Sequence, residues 1–207
     1  MFLLLSLPFF PVMADVGEDP FNDFFVSLRN GHAVEVKFWL NKGIDANILN
    51  MRGETPLMLA VRSDDNVEVV KLLLHAGAKS YLRSPYGETA LMLAVFHGRA
   101  KCVAALLEGG TDIGEINRLG WTPLIYAAYS GHVGIATQLI AHGAPPDSST
   151  GNGLTALMLA ARNGHLDVVK LLLSKGANRS RKSEMGLTAK DMALSTGNTD
   201  IAELLVP

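Results

Sequence analysis

Gly53-Glu54-Thr55-Pro56-Leu57-Met58-Leu59-Ala60 decides the fold, because it returns as Gly87-Glu88-Thr89-Ala90-Leu91-Met92-Leu93-Ala94 and as Gly153-Leu154-Thr155-Ala156-Leu157-Met158-Leu159-Ala160. With Gly120/Thr122 and Gly186/Thr188 the glycine-threonine pair occurs five times, first 34 and then 33 residues apart. A fixed period of that length marks a stack of small units. Glycine permits the turn, and threonine starts a helix by accepting from a free backbone N–H. Leu57, Leu59 and Ala60 recur in Leu124, Tyr126 and Ala127, at the spacing of one helical face. Second helices follow over Val69 to Leu74, Cys102 to Leu107, Ile135 to Ile140 and Val168 to Leu173. Each ends at a glycine placed for a C-cap: Gly77, Gly110, Gly143, Gly176. Helices of about two turns are not stable alone in water, whereas stacked pairs bury one continuous core.

Thr55-Pro56-Leu57-Met58-Leu59-Ala60 with Val69-Val70-Lys71-Leu72-Leu73-Leu74 and Gly77-Ala78 resembles the ankyrin repeat, as do Gly164-His165, Val168 to Leu173 and Gly176-Ala177-Asn178. The resemblance implies an all-α fold with short β-hairpin loops, a solenoid of stacked helix-turn-helix units. One departure is systematic: the family's His after the Leu is Met58, Met92, Ile125 and Met158, which replaces a hydrogen bond by packing. A second is local, since Arg62 to Asn66 lack the Gly-His pair and hold the extra residue, predicting a longer loop.

The ends of the stack are marked by polar residues at apolar positions. Lys190 stands where Leu57 and Leu157 stood, and Asp191 where Met58 and Met158 stood. At the other end Asn22 occupies the Thr position, Phe24, Val26 and Leu28 face inward, and Glu35 replaces the Cys102-type core residue. Terminal repeats need such polar outer faces. Six pairs are expected within a single domain over 21–207, near 21–49, 50–83, 84–116, 117–149, 150–182 and 183–207.

A chain of 207 residues with 48% hydrophobic content can bury a sizeable core, and a net charge of -2 with mixed signs argues against nucleic acid and anionic membrane surfaces. The first fourteen residues stand outside the repeats. Phe2 to Val12 is a short apolar run followed by Val12-Met13-Ala14 and by an acidic linker over 15–20, which reads as a signal peptide cleaved after Ala14. The run is too short for a stable membrane anchor, which needs roughly 20 apolar residues. The expected location is therefore the periplasm or the secreted fraction, with a cytoplasmic protein as the alternative if the run is no signal.

Catalytic chemistry finds no support. Cys102 is the only cysteine and falls in a core register, and one cysteine with scattered histidines makes no metal cluster. Gly151-x-Gly153-x-x-Ala156 matches a dinucleotide fingerprint, yet no buried strand precedes it and the repeat itself accounts for Gly153. No cofactor is expected. His32, His132 and His165 share one loop position, which suits bonding to a neighbouring loop backbone. Asn178-Arg179-Ser180 fits a glycosylation acceptor in a eukaryotic secretory route.

The family resemblance implies a partner protein lying between hairpin tips and first helices, contacted by the residues around each repeated glycine and at the first helix's end. Carried over, these positions include Arg52, Glu54 and Arg62, then Tyr86, Phe96 and His97, then Arg118, Leu119, Trp121 and Tyr129, and Arg162 in the fifth pair. Tyr86, Phe96, His97, Trp121 and Tyr129 crowd the middle two pairs and are framed by arginines, the composition of an interface hot spot. The expectation is a monomeric, non-catalytic module binding another protein, with Trp121 and Tyr129 as solvent-facing anchors. An immunity-type inhibitor occluding a toxin enzyme, or a cytosolic adaptor, would use the same surface.

Overall fold

Every repeated threonine starts a helix: its hydroxyl accepts from the backbone N–H three residues on, at 3.2 Å for Thr55 to Met58, 3.4 Å for Thr89 to Met92 and 3.3 Å for Thr122 to Ile125. The structure, a computed structural model, describes residues 19–62 and 66–206, which form twelve α-helices. They pair as α1 (Pro20–Asn30) with α2 (Ala33–Asn41), α3 (Pro56–Ala60) with α4 (Val67–His75), and α5 (Ala90–Phe96) with α6 (Ala100–Glu108). α7 (Pro123–Ser130) with α8 (Val133–Ala141), α9 (Ala156–Arg162) with α10 (Leu166–Ser174), and α11 (Ala189–Ser195) with α12 (Thr199–Leu204) complete the stack. The expected signal peptide and residues 15–18 of the expected linker lie outside the described residues.

First helices pack on first helices and second on second, so one apolar slab runs through all six pairs. Leu57, Leu91, Leu124 and Leu157 are fully buried in it, as are Met58, Met92, Ile125 and Met158, where the family's histidine would stand. Cys102 is buried among them. The expected β character is confined, among the described residues, to one antiparallel bridge between Ser149 and Thr155. The hairpins close instead as tight turns. Three residues before the glycine, Asn50, Ser84 and Asn117 each receive two backbone bonds on their side chain, as Asn117 Oδ1 does from Leu119 N at 2.8 Å and Trp121 N at 2.9 Å.

Two expectations at the first pair are corrected. α1 begins at Pro20, two residues before Asn22, because Asp19 rather than Asn22 caps it, accepting from Phe21 N at 3.0 Å, and Pro20 suits its first turn. Asp19 and Pro20 thus belong to the helical stack rather than the linker. Val26 is half-buried while Ser27 is buried, its hydroxyl satisfied by Phe24 O at 2.8 Å. Glu35 is exposed beside His32, at 3.2 Å, and closes this end with polar surface. At the far end Asp191 accepts from Thr188 N and Oγ1 at 2.8 and 2.7 Å, bonds that hold its carboxyl below the usual range. α3 ends at Ala60, two residues earlier in its repeat than α5 and α9 do in theirs, and the longer loop expected over Arg62 to Asn66 falls in part on residues 63–65, outside the described residues.

Candidate functional site: the groove between hairpin tips and first helices

The middle of the array carries a hollow of about 630 Å³ whose walls are the hairpins of the third and fourth pairs and whose floor is α5 and α7. Arg62, Tyr86, Phe96, His97, Arg118 and Leu119 line it, so six of the residues expected to meet a partner are brought together. Tyr86 and Leu119 stand on adjacent hairpin tips and are 72% and 70% exposed; Phe96, at the end of α5, is 44% exposed. A second hollow of about 740 Å³ lies toward the first pair, between α1 and the hairpin carrying Met51 and Arg52, and shares Arg62 with the first. The two form consecutive parts of one groove. Arg162 is exposed at the end of α9 and lines neither.

Trp121 and Tyr129 differ from the expectation of free, solvent-facing anchors. Both are half-buried, because the Trp121 ring is wedged edge-on against Tyr126 at 5.1 Å and Tyr129 at 5.2 Å. Tyr126 in turn meets Phe96 at 5.8 Å. Edge-to-face rings attract through their quadrupoles, so these side chains form a stiff wall rather than a row of loose probes. The apolar surface left open to a partner comes mainly from Tyr86, Leu119 and Phe96.

Sequence reasoning placed Tyr126 in the core, and it is 7% exposed, but its hydroxyl has a further role. It donates to Glu88 Oε1 at 2.8 Å, accepts from Asn117 Nδ2 at 2.8 Å, and so ties the third hairpin to the fourth beneath the hollow. Burial and the neighbouring Glu88 carboxylate keep the phenol protonated far above its ordinary range. The available signal was a tyrosine at a position that is Leu59, Leu93 and Leu159 in other copies. Glu54, also expected at the contact surface, is withdrawn from it. It is 5% exposed and accepts from Arg62 Nη1 at 2.5 Å and Asn50 Nδ2 at 3.1 Å. That pairing holds Arg62 half-buried between the two hollows.

His97 lines the central hollow with an imidazole held below its ordinary value of 6.5, by burial first, then by Arg62 and Arg99, with Glu88 opposing. The other loop histidines serve the stack. His132 Nε2 donates to Phe96 O at 3.3 Å and His165 Nε2 to Tyr129 O at 3.0 Å, each in the preceding copy. Asn66, Arg99 and Asn198 occupy the same position and do the same. The Gly151-x-Gly153 segment is closed to a phosphate, since Glu184 N of the next hairpin donates to Asn152 O at 3.1 Å across it. Among the described residues no group of three His, Cys, Asp or Glu could hold a metal ion, and no helix is long and apolar enough to cross a membrane.

Comparison with known proteins agrees with this architecture. Residues 13–84, 69–150 and 135–207 match the family described as ankyrin repeats (3 copies). An ankyrin repeat protein of fowlpox virus is 36% identical over 82 residues, 39% of this chain and 14% of that protein. The human SH3 and multiple ankyrin repeat domains protein 2 is 40% identical over 72 residues, 34% of this chain and 4% of its own length. Dauer abnormal formation protein 25 of Caenorhabditis elegans is 38% identical over 74 residues, 36% of this chain and 18% of its own. The matched stretches are thus a small part of each of these relatives.

Proposed function

Because this chain belongs to the ankyrin-repeat family, whose repeats are in general non-catalytic modules that bind other proteins, we propose that it captures a single partner protein in the groove between its hairpin tips and first helices. The observation that carries this reading is the central hollow. There Tyr86, Phe96 and Leu119 leave apolar surface open in one contiguous site, while the equivalent first-helix leucines are buried. Contiguous exposed apolar surface rimmed by polar groups marks interaction sites. Arg62 and Arg118 supply the rim, Arg52 continues it along the adjoining hollow, and Trp121 and Tyr129 stiffen the wall behind it. The array acts as a monomer and the partner is exported with it, the signal peptide over 1–14 directing the chain to the periplasm or the medium.

Capture from the exported fraction tests the reading. Wild-type protein should retain a partner that a Tyr86→Ala/Leu119→Ala variant of unchanged melting temperature loses; equal retention by the two proteins sinks it. N-terminal sequencing of the mature protein tests the location, with Asp15 as the expected first residue.

A further inference from the structure

The groove is asymmetric in how it treats charge. Its carboxylates have donors within the fold: Glu54 is buried under Arg62 and Asn50, Glu88 accepts from the Tyr126 hydroxyl beneath the hollow, and Asp19, at the far end, caps α1. Arg62 is likewise spent on Glu54, but the guanidinium groups at the hairpin tips are not: Arg52 and Arg118 are exposed, and neither pairs with a described carboxylate. Arg52 and Arg118 sit on the tips of the second and fourth hairpins, and the open apolar side chains of Tyr86 and Leu119 lie in the same row.

Resting on the reading that this groove is the docking surface, we infer that the partner presents an extended acidic segment, whose carboxylates engage Arg52 and Arg118 and flank an apolar side chain seated against Tyr86 and Leu119. Arginine's planar fork matches a carboxylate with two parallel bonds, a geometry that a basic or neutral segment cannot use. Stacked helices lie roughly 10 Å apart, so tips two pairs apart are separated by about 20 Å. An extended chain covers that distance in about six residues at roughly 3.3 Å each. Residues six apart in such a chain point the same way, and an apolar residue two or four positions along shares their face. The acidic segment also faces little competition, because the groove's own carboxylates already have donors. A polyanionic nucleic acid would meet the same arginines, but the apolar seat and the chain's net charge of -2 favour a peptide.

Display of random twelve-residue peptides, selected on the full chain, tests this. Selected peptides should carry Asp or Glu on both sides of a Leu or Phe. Arg52→Glu/Arg118→Glu should weaken them at least about tenfold, since like charges brought together are repelled. Both changes are at exposed tips, so the variant should melt as wild type does. Neutral or basic peptides that are nevertheless lost in a Tyr86→Ser/Leu119→Ser variant overturn the acidic partner and leave the docking surface standing. Peptides indifferent to Tyr86→Ser/Leu119→Ser overturn the docking surface and this inference with it. A twelve-nucleotide oligo(dT) that binds in preference to the acidic peptides also overturns it.

Discussion

The loops joining first to second helices, outside the second pair, and the hairpins joining one pair to the next both turn on left-handed glycines, Gly131 at φ +76° and Gly120 at φ +75° among them. They use their side chains differently. In the first row, Asn66, Arg99, His132, His165 and Asn198 each donate to a backbone carbonyl of the preceding copy. In the hairpin row the backbone makes such bonds itself, Arg118 N to Tyr86 O at 3.4 Å and Glu184 N to Asn152 O at 3.1 Å. Side chains at the tips are thereby released: Met51, Tyr86, Leu119 and Met185 are all strongly exposed. A repeat protein can vary recognition without losing its stack when these two tasks fall to different rows.

The largest effect should come from damaging the hairpin backbone. A Cβ on Gly120 would stand 2.9 Å from Gly151 N, an atom fixed by the next hairpin, so Gly120→Ala should cost about 3 kcal/mol in urea unfolding, through left-handed strain plus collision. At Gly131 the same Cβ would meet the His165 ring at 2.6 Å, and a side chain can turn aside. Gly131→Ala should therefore cost less than Gly120→Ala, and equal losses would mean that the rows do not differ in this way. Trp121→Ala should cost about 2 kcal/mol of stability, because it removes a half-buried ring packed on two tyrosines. A variant that melts like wild type would restore Trp121 as a free anchor.

Side chains in the two rows give the sharper contrast. Asn198→Ala deletes donors to Ala161 O and Arg162 O, both at 3.0 Å, and should lower stability by about 1 kcal/mol without touching partner affinity. His165→Ala should cost less, since Asn163 Nδ2 still donates to the same Tyr129 carbonyl at 2.8 Å. Tyr86→Ala/Leu119→Ala should leave stability within about 0.5 kcal/mol while abolishing capture, the reverse pattern. Calorimetry on the variants, paired with capture assays, checks both sides.

The stack could be read from the chain because its determinants are local and repeated: a threonine cap, a glycine turn and a leucine register each state the same geometry in several copies. The loop histidines were legible for the same reason, whereas Arg99 and Asn198 were not, since different residues there supply the same donor. Site positions could be placed by register, but not their exposure. Trp121 and Tyr129 hold variable positions, and it is ring packing inside their own copy, Trp121 against Tyr126 and Tyr129, that draws them into the wall. Glu54 likewise reads as a surface carboxylate until Arg62, eight residues on and across a helix, folds over it.

His97 belongs to neither row's usual pattern, since it ends α5 and faces the hollow instead of the preceding copy, and it links the two through charge. Burial, Arg62 and Arg99 lower its folded value below 6.5 while Glu88 opposes them, so the unfolded chain takes up a proton before the folded one does. Stability rises with pH wherever the unfolded state binds more protons. The His97 contribution is thus intact above about pH 7 and lost as pH falls below 6.5 toward the lowered folded value. His97→Gln, which cannot charge, should flatten that part of the acid limb in urea unfolding series, by a small amount because the ring is partly in solvent. Binding works in the opposite sense: a carboxylate brought beside His97 favours the imidazolium, so an acidic peptide should bind more tightly at pH 6 than at pH 8 in wild type and equally at both in His97→Gln. Equal wild-type affinity at the two pH values would place the carboxylates away from His97, at the Arg52 and Arg118 tips alone.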